Sequence, residues 1–120
     1  MKVLIVEDSI PMLKMIRRTI CCCCEEIYDC ADGAAAIVLY SEQRPDWVLM
    51  DIELKQMNGI AATRRITSEF PGAKILMVTN YDDRDLRQAA TDAGACGYLL
   101  KDNLLEVRRI LQQANADICK

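Results

Sequence analysis

Trp47-Val48-Leu49-Met50-Asp51 is a run of four apolar residues closed by an acid. Val3-Leu4-Ile5-Val6, followed by Glu7-Asp8, repeats the pattern near the amino terminus. Short, nearly continuous apolar runs suit strands of a parallel sheet, because helices cover both of its faces. In open α/β sheets the carboxyl ends of such strands border the ligand crevice. A carboxylate is costly to desolvate, so acids at these ends mark the place to look for chemistry.

Strand-like and helix-like segments alternate five times outward from these runs. Residues 2–6 read as the first strand. Ser9 can cap the helix that follows and Pro11 fits its first turn, with Met12, Ile16 and Ile20 at helical spacing. A weaker strand falls near residues 26–29, and Asp32 offers a cap for a helix with Ala36, Ile37 and Tyr40 inward. Arg44-Pro45-Asp46 breaks that helix before the third strand, 47–50. Residues 52–58 form a loop ending at Gly59, and a helix then uses Ile60 and Ile66. Pro71-Gly72 signals a turn before the fourth strand, Lys74 to Val78, which ends at Thr79. A polar helix starts near Asp83, with Leu86, Ala89, Ala90 and Ala93 inward and Gly94 as its stop. Cys96 to Leu100 is the fifth strand, and Leu104, Val107, Leu111, Ala114 and Ile118 line one face of the last helix. This (βα)5 alternation predicts a doubly wound α/β domain with helices on both faces of a parallel sheet. One domain over 1–120 is expected.

Composition narrows the function classes. Hydrophobic residues make up 52% of the 120, which argues against disorder. The net charge is −3 and no Lys/Arg block stands out, so direct nucleic-acid binding by this chain is not expected. No apolar stretch approaches the roughly 20 residues of a membrane span. The early acids at Glu7 and Asp8 do not fit a signal peptide, so a cytoplasmic location is expected. The complete absence of histidine removes Ser-His-Asp and Cys-His nucleophile systems and H-E-x-x-H zinc sites. Neither a G-x-x-x-x-G-K-[ST] loop nor a G-x-G-x-x-G fingerprint is present. Seven cysteines, four of them at Cys21 to Cys24, read as reduced, partly buried thiols, since adjacent residues point apart and cannot easily surround one ion.

Glu7-Asp8, Asp51, Thr79 and Lys101 all stand at strand ends. Taken singly, each has an ordinary reading: a strand-end acid, a surface hydroxyl, a solvated charge. Gathered on one edge, they make a cluster of acids with a hydroxyl and an ammonium. Two carboxylates about 4 Å apart repel by roughly 4 kcal/mol at an effective dielectric of 20, so the cluster calls for a cation or a raised pKa. Hard carboxylate oxygens favour Mg²⁺, which readily bridges to phosphate oxygens. Such a pocket suits phosphoryl transfer to a carboxylate nucleophile.

The chain resembles the receiver domains of bacterial two-component response regulators. The resemblance rests on Val6-Glu7-Asp8-Ser9, Leu49-Met50-Asp51-Ile52 with Met57-Asn58-Gly59, Val78-Thr79, and Gly94-Ala95 through Gly97-Tyr98-Leu99-Leu100-Lys101. It covers essentially the whole chain, and the pattern is nearest to receivers that precede LuxR-type DNA-binding domains. It implies a flavodoxin-like sheet in the order 2-1-3-4-5. It implies that Asp51 accepts a phosphoryl group from the phosphohistidine of a sensor kinase or phosphotransfer protein, with Mg²⁺ as cofactor. Glu7 and Asp8 would serve the metal with Asp51, and Glu53 through its backbone carbonyl. Thr79 and Lys101 would bond phosphoryl oxygens, and Tyr98 matches an aromatic switch position. The surface of the fourth helix, fifth strand and last helix would then change, and pairing of two phosphorylated copies is an expectation.

Three positions depart from the family pattern. Lys55 stands where proline is frequent, which loosens that loop. Asn80 follows Thr79 where a small residue is usual, narrowing access. Asp102 follows Lys101 in place of proline. Two rival functions share the fold. A phosphatase with an aspartyl nucleophile usually carries a second aspartate two residues on, where this chain has Glu53. A pseudo-receiver that binds but is never phosphorylated would not need the full set of acids, hydroxyl and lysine.

Overall fold

The computed structural model describes residues 1–55 and 57–118, with side chains of the last helix described as far as Ala114. Five strands form one parallel sheet: β1 (Lys2–Val6), β2 (Glu26–Cys30), β3 (Trp47–Met50), β4 (Ile75–Thr79) and β5 (Gly97–Leu100), in the order β2-β1-β3-β4-β5. Their crossovers are the helices α1 (Ile10–Ile20), α2 (Gly33–Gln43), α3 (Gly59–Glu69) and α4 (Arg84–Asp92), and α5 (Leu104–Ile118) follows β5. The expected flavodoxin-like order is therefore present. The fourth and fifth strands each begin one residue later than expected.

Two apolar layers flank the sheet because successive strand residues point to opposite faces. On one face Val3, Ile5, Trp47, Leu49, Leu76 and Val78 pack with Ile16 and Ile20 of α1 and Val107 and Leu111 of α5. On the other, Leu4, Val6, Val48, Met50, Ile75 and Met77 pack with residues of α2, α3 and α4, among them Ala36, Ile66 and Ala90. The central strands β1, β3 and β4 are almost wholly buried, whereas the edge strands β2 and β5 are not. That difference explains why β2 carried the weaker apolar signal. Ala114 joins the first layer as expected, while the side chain of Ile118 lies outside those described.

Side chains start the helices where their donors would otherwise be orphaned. Ser9, Asp32 and Asp83 accept from the backbone N–H of Met12, Ala35 and Leu86. Asn58, which like Asp83 was not expected as a cap, does the same for Ala61 at 2.8 Å. Gly94 stops the fourth helix with φ of +103°, a conformation that disfavours side chains. Its N–H and that of Ala95 close back onto Thr91 and Ala90. All described peptide bonds are trans, including the one after Lys101. No helix among the described residues is long and apolar enough to cross a membrane.

Candidate phosphoryl-acceptor site

Strand register sets the site. Val6 lies beside Met50, so Glu7 and Asp51 emerge next to each other as the chains leave the sheet. The Asp51 N–H donates to the Val6 carbonyl at 3.0 Å, and the Glu7 N–H to the Cys30 carbonyl at 3.0 Å. On the other side Thr79 pairs with Leu100, which puts Lys101 one step past the sheet edge. A short 3-10 turn, Lys101–Asn103, then leads into α5.

These ends open into a cleft of about 340 Å³ lined by Glu7, Asp8, Ser9, Asp51, Glu53, Leu54, Lys55, Asn80 and Lys101. Glu7, Asp51 and Lys101 are buried, and Asp8 is half-buried. Lys101 Nζ stands 2.6 Å from Glu7 Oε1 and 3.1 Å from Asp51 Oδ2. The first is an ionic contact whose angle is poor for a hydrogen bond, since Glu7 Oε1 has no aligned donor. Glu7 Oε2 accepts instead from the Ser9 N–H at 3.1 Å.

Glu7, Asp8 and Asp51 each offer a carboxylate oxygen, and these oxygens lie within 4.8 Å of one another. At that separation a pair of charges repels by about 3 kcal/mol at an effective dielectric of 20. Burial first, and then the charge of Glu7, push the Asp51 carboxyl from 3.8 up to about 6, against the pull of Lys101. Burial works against the Lys101 charge, but the close contacts and attraction of Glu7 and Asp51 together outweigh it and raise its pKa. One ammonium against three carboxylates leaves an excess of negative charge on hard oxygen donors. That donor set fits a small hard dication such as Mg²⁺. Among the described residues it is also the only cluster of three potential metal-ligating side chains.

The structure thus brings Glu7, Asp8, Asp51, Glu53 and Lys101 together. Thr79 is fully buried beside the cleft and does not line it; its hydroxyl accepts from the Tyr81 N–H at 3.3 Å. Tyr98 is removed from the acids: its hydroxyl donates to the Tyr81 carbonyl at 2.5 Å, and the Arg87 guanidinium lies 4.6 Å from its ring centre. Asn80 does line the cleft. Lys55 lines it too, and its loop is fastened by a backbone bridge to Asp32 and by Met57 N–H donating to the Lys55 carbonyl at 2.8 Å. Sequence reasoning missed Ser9 and Leu54 as lining residues and the Arg87–Tyr98 stack. Arg87 and Tyr98 come from different elements at no informative spacing, so nothing in the sequence pairs them.

A family model described as the response regulator receiver domain matches residues 3–115. The chemotaxis protein CheY of Halobacterium salinarum is 36% identical over 104 residues, 83% of this chain and 83% of that one. The transcriptional regulatory protein DegU of Brevibacillus brevis is 36% identical over 98 residues, 78% of this chain and 42% of DegU. The chain spans about two fifths of the length of DegU and of similar curated regulators such as LnrK of Bacillus subtilis. Among solved structures, a LuxR-family two-component response regulator from Aurantimonas sp. superposes with a TM-score of 0.87 at 30% identity, covering 97% of this chain and 85% of that one.

Proposed function

This chain belongs to the response regulator receiver domain family, and from that premise we propose that it is a switch in which Asp51 accepts a phosphoryl group from a kinase phosphohistidine. Receiver domains of two-component response regulators are regulatory phosphoacceptors, which sets the role of the chain at the coarser level. The observation that carries the finer reading is a buried Asp51 on an open cleft, flanked by Glu7 and Asp8 and held 3.1 Å from Lys101 Nζ. The domain would take in residues 1–120.

Glu7, Asp8, Asp51 and the Glu53 carbonyl would hold Mg²⁺. When bound, the ion would supply charge neutralisation for a phosphoryl group among carboxylates. Asp51 would attack phosphorus as a carboxylate, forming an O–P bond as the N–P bond to the donor imidazole breaks. Lys101, fixed between two acids, stands ready to pair with a phosphoryl oxygen without first crossing open solvent. Thr79, drawn toward the new group, would donate its hydroxyl proton to another oxygen. A phosphoryl group adds nearly two negative charges and three acceptor oxygens, enough to bias the loop that bears Thr79. Tyr98 would follow, changing the face made by α4, β5 and α5. A sensor kinase or phosphotransfer protein is the proposed donor, and two phosphorylated copies would pair through that face.

Incubation with Mg²⁺ and acetyl phosphate is expected to add one base-labile phosphoryl group, read by intact mass, and Asp51→Asn is expected to take up none. Equal uptake by wild type and variant would move the acceptor elsewhere. Loss of the Arg87 stack offers a separate check on the ring. Arg87→Ala is expected to cost about 0.5–1 kcal/mol and to let Tyr98 sample further rotamers. Unchanged aromatic resonances of Tyr98 would show that the stack restrains nothing.

A further inference from the structure

The cysteine run Cys21-Cys22-Cys23-Cys24 lies far from this chemistry. Cys21–Cys23 form a 3-10 turn after α1, just before β2 begins, so they sit at the amino ends of the strands, opposite the cleft. Adjacent residues were expected to point apart. The turn instead brings Cys22 Sγ and Cys23 Sγ to 3.7 Å. Cys22 is exposed, while Cys23 is buried and packs in the layer that contains Val107 and Leu111 of α5. Both are free thiols.

We propose that Cys22 and Cys23 form a chelating dithiol site for a trivalent organoarsenical, a soft electrophile that takes two sulfurs. Neighbouring Cα atoms stand about 3.8 Å apart across a trans peptide, below the roughly 4.4–6.8 Å usual for a disulfide, so this pair is better suited to hold a third atom between its sulfurs. A tetrahedral zinc ion, with bonds of about 2.3 Å to sulfur, would span a similar gap of roughly 3.8 Å. Zinc needs four ligands, however, and among the described residues no third donor joins these two sulfurs. Trivalent arsenic bearing one carbon substituent needs only two.

The reaction balances without an oxidant. The oxide R–As=O and two thiols give R–As(S-Cys22)(S-Cys23) and water: two As–S bonds form, and the As–O bonds are lost. The two thiol protons leave on the oxygen, and arsenic stays trivalent throughout. Cys22, being exposed, meets the reagent first. Burial pushes the Cys23 thiol up to about 11, so it follows as a neighbour already in place.

The test adds phenylarsine oxide to the folded chain and reads native mass together with free-thiol titration. One phenylarsenic per chain is expected, with two thiols lost and release by 2,3-dimercaptopropanol but not by an excess of monothiol. Cys22→Ser, at an exposed position, is expected to weaken uptake by about 100-fold through loss of the chelate. Cys23→Ala should do the same, and a retained circular dichroism spectrum guards against unfolding. Cys21→Ser, Cys24→Ser and Asp51→Asn should bind as wild type does, which separates this site from the phosphoacceptor. Uptake retained in Cys22→Ser, or lost in Cys21→Ser or Cys24→Ser, would overturn the assignment.

Discussion

Gly59→Ala is expected to lower stability by about 3 kcal/mol, at the upper end of what overpacking costs, and to lower the thermal midpoint by roughly 10 °C. The added Cβ would stand 1.8 Å from the Asp51 carbonyl oxygen, 2.8 Å from its carbon and 2.9 Å from Met50 Cγ. Two of those obstacles are backbone, so no side-chain rotation relieves them. The Gly59 N–H also donates to the Ile52 carbonyl at 2.9 Å, which prevents α3 from simply backing away. The strain therefore falls on the residue that bears the proposed acceptor. Phosphoryl uptake should drop by about 100-fold, the effect of a misplacement near 1 Å at a reacting group. Gly72→Ala is the control, since a Cβ there meets nothing within 4 Å. Urea titration of both variants decides the matter: matching midpoints would show that the loop yields where the geometry says it cannot.

Asp51→Asn is expected to stabilise the metal-free protein near neutral pH by up to about 3 kcal/mol. That limit follows from a carboxyl held at about 6 instead of 3.8, at roughly 1.4 kcal/mol for each tenfold change in proton affinity. Below pH 3.8 the group is protonated in both the folded and unfolded chain, and wild type suffers no penalty from it. As the pH rises through about 6, the fold must hold an ionised Asp51 beside Glu7, and that advantage is lost. Asparagine never ionises, so the gap in its favour should open between pH 4 and pH 7. Mg²⁺ should narrow the gap by favouring the carboxylate of the wild type alone. Unfolding free energies at pH 4.5 and 7.5, with EDTA and with Mg²⁺, measure all of this. A variant less stable than wild type at pH 7.5 in EDTA would mean that Lys101 more than compensates the burial and repulsion at Asp51.

The central sheet was legible because β1, β3 and β4 are buried on both faces and so had to be continuously apolar. Ser9 and Asp32 were legible as caps because their side chains answer a local need of the backbone, whereas Asp83 was legible only as the start of its helix. The acids and Lys101 could be grouped from topology alone, since all of them follow strands at one edge. What could not be read depends on contacts between elements. The depth of Thr79, the ion pair that joins Lys101 to Glu7 as well as Asp51, and the stacking of Arg87 on Tyr98 all arise from how α4 and the ends of β1, β3, β4 and β5 meet. The cysteines show a local version of the same limit. Four identical residues in a row carry no periodicity, and only the 3-10 turn reveals which two sulfurs converge.

Tyr81 is held on both sides of its Cα, by Thr79 Oγ1 at its N–H and by the Tyr98 hydroxyl at its carbonyl. A hydroxyl can receive one hydrogen bond while giving another, so Thr79 keeps a proton to offer without letting go of Tyr81. In the proposed switch, a pull on that threonine would be carried through these two bonds to the aromatic ring. Movement at the core of the sheet edge and movement at the exterior would then become a single displacement, like the two ends of a lever.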